Sequence, residues 1–333
     1  MNRDAPDRDA SGHGASGHGA SNREASGGGA SSWHAHVWPQ ASRAQLAALE
    51  ELRSGAGRRA AGACLVEGEL LLAEALAAGL APRLVAVAPG LAGHAVVEAA
   101  RAAGASIVSL GQRRAERLSD REHAPGLLAA VPLPAAWDGR PPADGPALVV
   151  ALCGLQDPGN VGTLLRSARA FGAAGCLALP GTADAHGPKV VRASAGASFT
   201  VPAAAVELAA LPELAQRHGL TLVAAVSPRA EPSAPRAGFE SSRAEPAPPG
   251  LAAVSPRAAS ARDVIPAPAA VATAPLAELP ERCLLLLGHE TRGVPELPGC
   301  ATASVPQEPG VDSLNVAVAG SILMSLWYRS RRR

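Results

Sequence analysis

Five polar side chains stand where short motifs break off from apolar runs. They are Asn160 and Arg166 in "GLQDPGNVGTLLRSARAFGA" (154–173), Glu290 in "LLLLGHETRGVPE" (284–296), and Ser313 and Asn315 in "GVDSLNVAVAGSILM" (310–324). Each has a plain structural role when taken singly. Asn160 can open a helix, Arg166 can be a solvated helix residue, and Asp312 or Ser313 can accept hydrogen bonds from the unpaired amides of a first helical turn. Capping accounts for one polar residue before the last helix and leaves Asn315 over. An ionised carboxylate at a strand edge needs partners, and Arg166 or Asn160 can supply them to Glu290. The chemistry on offer is therefore a charged and amide-lined pocket assembled from three distant segments.

The elements that would position these groups are legible as alternating strand and helix signals. "ALVVALCGL" (147–155) is an unbroken apolar run suited to a strand buried on both faces of a parallel sheet, and "RCLLLLG" (282–288) is another. After the first run, Asp157-Pro158-Gly159 makes a tight turn and Asn160 stands at a helix start. After the second, Gly288 ends the strand and Gly293 can bend the loop carrying Glu290. A third strand ends at Val305-Pro306, and a final helix begins around Ser313 with Val316, Ala319, Gly320 and Leu323 on one face. Small residues on that face admit a close backbone, as at a helix packed on a sheet or at a dimer seam. The carboxyl ends of parallel strands are where open α/β sheets bind ligands.

Composition narrows the classes. The chain has 333 residues, enough for two domains and tails. It is 47% hydrophobic but only 2% aromatic, so its core is built from Ala, Val and Leu, and few rings are available to stack bases. Thirty basic against 29 acidic side chains leave a formal charge of +1, so a nucleic-acid role has to rest on local patches. Five scattered cysteines without a C-x-x-C pair argue against zinc and disulfides and for reduced thiols in a cytoplasm. No metal site is expected. The N-terminus lacks an apolar leader, and no apolar stretch reaches the roughly 20 residues of a membrane span, so no membrane association is expected.

Along the chain, residues 1–40 form a Gly/Ser/His-rich tail too poor in apolar groups to order. Its Gly12, Gly14 and Gly17 match G-x-G-x-x-G, but no strand precedes them and no helix follows, so the match is chance. Residues 43–135 alternate strands and helices as a smaller α/β domain, beginning with "ACLVEGELLLAEALAAG". A Pro/Gly-rich linker covers 136–147, and a parallel-sheet α/β domain covers 148–330, interrupted over about 228–275 by a Pro/Ala/Arg/Ser insertion expected to be disordered.

These segments resemble the motifs of the SpoU-type (TrmH-like, SPOUT superfamily) RNA 2'-O-ribose methyltransferases: N-x-G-x-x-x-R in "NVGTLLR", G-x-E in "GHE", and "SLNVAVA". "KVVRASAGASFTVP" is similar to the family's stretch after the first motif, and "CLVEGELLLAEAL" resembles, less specifically, the domain with which such enzymes hold RNA. The resemblance implies a C-terminal trefoil knot that binds S-adenosylmethionine. It also implies that the backbone around Gly288, Val305 and Leu314 holds the cofactor, with Leu286 and Pro306 as apolar walls and Ser313 and Asn315 facing the site. Arg166 would be the catalytic residue, oriented by Asn160 and Glu290. A guanidinium stays charged at neutral pH, so the expected role is positioning a phosphate and stabilising alkoxide charge rather than removing a proton. Homodimerisation, a cytoplasmic location and ribosomal RNA as substrate follow by analogy. Transfer RNA, or a non-catalytic RNA-binding protein of the same fold, remains open; a nicotinamide dehydrogenase ranks far lower for want of a placed glycine fingerprint. Arg58-Arg59 and the trio Arg113, Arg117 and Arg121 are candidate RNA contacts, each also readable as a solvated charged face.

Overall fold

The computed structural model describes residues 38–118, 126–227, 278–289, 292–308 and 313–332. The expected polar tail (through residue 37), the expected insertion, Arg121 and Glu290 lie outside the described residues.

Two short helices come first, α1 (Arg43–Glu51) and α2 (Gly55–Ala61). Ser42 and Gln45 cap α1 reciprocally, each side chain accepting from the other's backbone N–H. Next come β1 (Ala63–Glu67), α3 (Glu69–Ala77), β2 (Leu84–Val87), α4 (Ala95–Ala102), β3 (Ser106–Ser109), α5 (Gln112–Leu118) and β4 (Leu127–Pro132). The strands form a sheet in the order β1-β4-β2-β3, with β4 antiparallel to both neighbours and β2 parallel to β3. Leu72, Ala75, Val96, Val97 and Ala100 project from α3 and α4 onto one face of it.

The second sheet contains β5 (Ala147–Cys153), β6 (Gly175–Ala178), β7 (Ala203–Ala205), β8 (Thr221–Ala225), β9 (Arg282–Gly288) and β10 (Ala301–Ala303). All are parallel, in the order β10-β8-β9-β5-β6-β7. Both expected double-buried runs are central strands, because helices cover both faces. Leu285 and Leu287 of β9 face a core shared with α6 (Pro158–Ala170), α7 (Pro188–Ala193) and α9 (Val316–Ser330). Leu284 and Leu286 face the opposite core, with α8 (Leu211–Arg217). The strand order reverses between β5 and β9, the kind of switch point at which open α/β sheets leave a crevice.

The two sheets share core and charge. Val191 of α7 and Phe199 complete the core of the first sheet. Arg58 pairs with Asp184 and also donates to the Leu52 and Arg53 carbonyls, both at 2.9 Å. Arg192 donates to the buried Glu67 at 2.9 Å, and Arg169 to Glu74 at 2.7 Å. Arg58 therefore corrects the expectation of a basic RNA-contacting cluster: it is 5% exposed and neutralised within the protein. Arg113 and Arg117 do lie exposed on α5. The connection between the sheets is pinned, since Arg282 donates to the Pro142, Gly145 and His218 carbonyls and the Trp137 ring occupies the space a Cβ on Gly175 would need. Among the described residues no helix is long and apolar enough to cross a membrane.

Candidate active site

The switch point is built from two strand ends and two helix starts. β5 and β9 run in register to a last pair, Cys153 opposite Gly288. Beyond β5, Asp157 is the N-cap of α6, its Oδ2 accepting from the Asn160 N–H at 2.9 Å, and Pro158 occupies the first helical position. The expected turn is thus the helix start itself, with Asp157 and not Asn160 as its cap. Gly162 lies two residues on, where a Cβ would be 2.4 Å from that of Ala193, so α6 presses directly on α7.

Asn315 is the N-cap of α9 and does two jobs with one carboxamide. Its Oδ1 accepts from the Ala317 and Val318 N–H groups at 2.9 and 3.3 Å, and its Nδ2 donates to Asn160 Oδ1 at 3.0 Å. The helix begins after Asn315 rather than around Ser313, which is exposed ahead of the cap. A residue that looked surplus to capping is the cap, and it ties the starts of α6 and α9 together. Gly320 then lets α9 close on the sheet: a Cβ there would meet Leu164 Cδ2 at 2.6 Å and Leu287 Cδ1 at 2.8 Å. The small-residue face therefore packs on the sheet and α6.

At the end of β9 the backbone folds back on itself. Gly293 N–H donates to the His289 carbonyl at 2.7 Å, and a Cβ on Gly288 would lie 2.1 Å from the Gly293 oxygen. Only glycine fits, and its backbone is left facing the rim. After β10, Val305 is buried and packs with Ala303, Leu287 and Ala317 in one core, Leu314 leans on the same cluster, and Pro306 is exposed. Beside them the Gln307 carboxamide, which no motif flagged, has a buried Oε1 without a hydrogen-bond donor among the described residues. Leu286, expected as an apolar wall, is fully buried on the α8 face of β9, because its neighbours 285 and 287 take the other face.

Arg166 is not gathered with Asn160 and Asn315. Six residues along α6, roughly 9 Å further on, it is exposed on a groove of about 480 Å³ between α6 and α9, lined also by Ser167, Ile322, Ser325, Leu326 and Arg329. Ser167 and Ser321 hydroxyls meet at 2.7 Å between the helices. The expected convergence of guanidinium, carboxamide and carboxylate is thus seen for the two carboxamides, with Arg166 in the adjoining groove and Glu290 outside the described residues. Thiol nucleophilic catalysis at this rim is disfavoured: burial, then the nearby Cys300, pushes the Cys153 thiol up to about 12. No cluster of three potential metal ligands occurs among the described residues.

Comparison with known proteins agrees with this architecture. Residues 147–246 match the SpoU rRNA Methylase family, and residues 44–129 match the MRM3-like substrate binding domain. A Synechocystis protein described as an uncharacterized tRNA/rRNA methyltransferase is 28% identical over 295 residues, covering 86% of this chain and 89% of its own. A 23S rRNA uridine 2'-O-methyltransferase of Streptomyces viridochromogenes is 39% identical over 85 residues, 26% of this chain and 30% of its own. The crystal structure of the SpoU methyltransferase AviRb from the same organism, in complex with AdoMet, matches with a TM-score of 0.64 at 22% identity, covering 87% of this chain and 99% of that one. That likeness shows the fold.

Proposed function

We infer that this chain, in which a SpoU rRNA methylase domain follows an MRM3-like substrate-binding domain, is an S-adenosylmethionine-dependent methyltransferase acting on a ribose 2'-hydroxyl of ribosomal RNA. The observation that carries the reading is the Asn315–Asn160 hydrogen bond, which joins two distant motifs at the β5/β9 switch point.

The residues present fit the cofactor. The exposed Pro306, the half-buried Leu314 and an acceptor on Gln307 that is unmet among the described residues suit a ligand with both a flat apolar part and polar edges. When bound, S-adenosylmethionine supplies an electrophilic methyl group. The protein's own contribution is orientation: the Asn160–Asn315 pair fixes the start of both helices, and Arg166, on the adjoining groove, supplies the guanidinium that holds the RNA. Arg166 grips a target phosphate bidentately and stabilises negative charge developing on the ribose oxygen. Pre-alignment of this kind supplies several kcal/mol of barrier reduction without a dedicated base, on the order of what well-oriented intramolecular reactions gain.

The position of Arg166 favours a homodimer. It makes no ion pair or hydrogen bond among the described residues, and it borders a groove whose rim includes the exposed Leu326. A second copy packed on α6 and α9 would cover that groove and let Arg166 serve the site of its companion. The trefoil crossing, the roles of Ser313 and Pro306, the division into domains at 43–135 and 148–330, and a cytoplasmic location belong to the same reading. Transfer RNA is the alternative substrate, favoured by the description of the Synechocystis relative. Incubating the protein with methyl-labelled S-adenosylmethionine and separate pools of unmodified ribosomal and transfer RNA, followed by nucleoside digestion, tests it. A labelled 2'-O-methylnucleoside from ribosomal RNA is expected. Label confined to transfer RNA would move the substrate, and label on a base or none at all would refute the reading.

A further inference from the structure

Gln307 lies in the loop that leaves β10, two residues after the buried Val305 and next to the exposed Pro306. Its side-chain Oε1 is shut off from solvent and receives no hydrogen bond among the described residues, while its Nε2 makes one long contact, 3.5 Å, to the Val305 carbonyl. A buried acceptor left unmet destabilises a protein until a donor reaches it. Glu308, the nearest charged group along the chain, is exposed.

A carboxamide offers an acceptor and a donor side by side on one planar fork. In the cofactor proposed above, the ribose hydroxyls and the amino-acid ammonium offer donors, but only the adenine ring offers a donor and an acceptor side by side on one planar edge. That edge pairs with Gln or Asn carboxamides in a bidentate fashion. The exposed Pro306 beside Gln307 is suited to the flat face of the same ring. We propose that the Gln307 side chain reads the adenine edge of the cofactor, Oε1 accepting from the exocyclic N6 amine and Nε2 turning from the Val305 carbonyl to ring N7, an edge on which the inosine base presents two acceptors. This rests on the cofactor reading, and it makes Gln307 a specificity residue that the three motifs do not include.

The test is calorimetric binding of S-adenosylhomocysteine and of its inosine counterpart, in which an oxygen acceptor replaces the N6 amine. The wild-type protein is expected to prefer the adenine ligand by about tenfold or more, the scale of one hydrogen bond lost together with one acceptor left unpaired. In Gln307→Met, which keeps the volume and loses the fork, the preference is expected to fall within about threefold, with Gln307→Ala as a second variant. Equal preference in variant and wild type, with both binding the adenine ligand, overturns the proposal and leaves the cofactor reading standing. A wild-type protein that binds the two ligands equally also overturns it. A wild-type protein that binds neither overturns the cofactor reading itself.

Discussion

Asn315 carries more of the site than any other single side chain, because its two amide ends act on different elements. Oδ1 holds the start of α9 and Nδ2 reaches Asn160 on α6. These jobs separate by mutation. Asn315→Ser keeps a competent cap, so the unfolding free energy should change by about 0.5 kcal/mol or less, but serine is too short to span to Asn160. Methyl transfer should drop at least tenfold while thermal stability holds; equal turnover would show that the Asn160 link has no part in the reaction. Arg166→Lys addresses the neighbouring group. Lysine keeps the charge and loses the planar fork, so S-adenosylhomocysteine affinity should persist while most turnover is lost. Full activity in that variant would remove the bidentate role.

At the scale of elements, glycines decide how closely the pieces meet. Gly288 allows the backbone at residue 293 to lie across the end of β9, and Gly320 seats α9 on Leu164 and Leu287. Gly288→Ala inserts a methyl group 2.1 Å from a carbonyl oxygen that has no room to retreat. Denaturant unfolding should show a loss of about 1–3 kcal/mol, the usual cost of overpacking, with S-adenosylhomocysteine binding weakened as the cradle shifts. Unchanged stability and affinity would mean that the rim loop is free to move. Much at this scale was legible beforehand. "ALVVALCGL" and "RCLLLLG" have no polar alternation, which is only compatible with strands covered on both faces, and they are β5 and β9. The same uniformity hid the phase of β9: four leucines in a row carry no sign of which faces α8, so the burial of Leu286 on that side could not be read. Asp157 was visible as a turn residue, but a turn and a helix cap use the same Asp-Pro-Gly signal.

For the molecule as a whole, long-range pairing sets what sequence spacing misses. Arg58 looks like part of a basic patch until Asp184, 126 residues away, is brought beside it by the packing of α2 against the second sheet. The same packing puts Val191 and Phe199 into the core of the first sheet, so the two sheets should move as one body. An exposed groove joining Arg166 to apolar surface lies between α6 and α9. Leu326→Glu places a carboxylate in that groove at a solvent-facing position. Sedimentation should show the dimer dissociating to monomers that melt at a similar temperature. A wild-type protein that is monomeric at micromolar concentration, or a variant that stays dimeric, would remove the second copy from the site.

Quantitative mapping of ribose methylation in ribosomal RNA, from cells with the gene, without it, and with the Arg166→Lys form restored, bears most directly on the central claim. The expected result is a 2'-O-methyl mark present in the first and absent from the other two. Identical ribose methylation in all three would contradict the assignment.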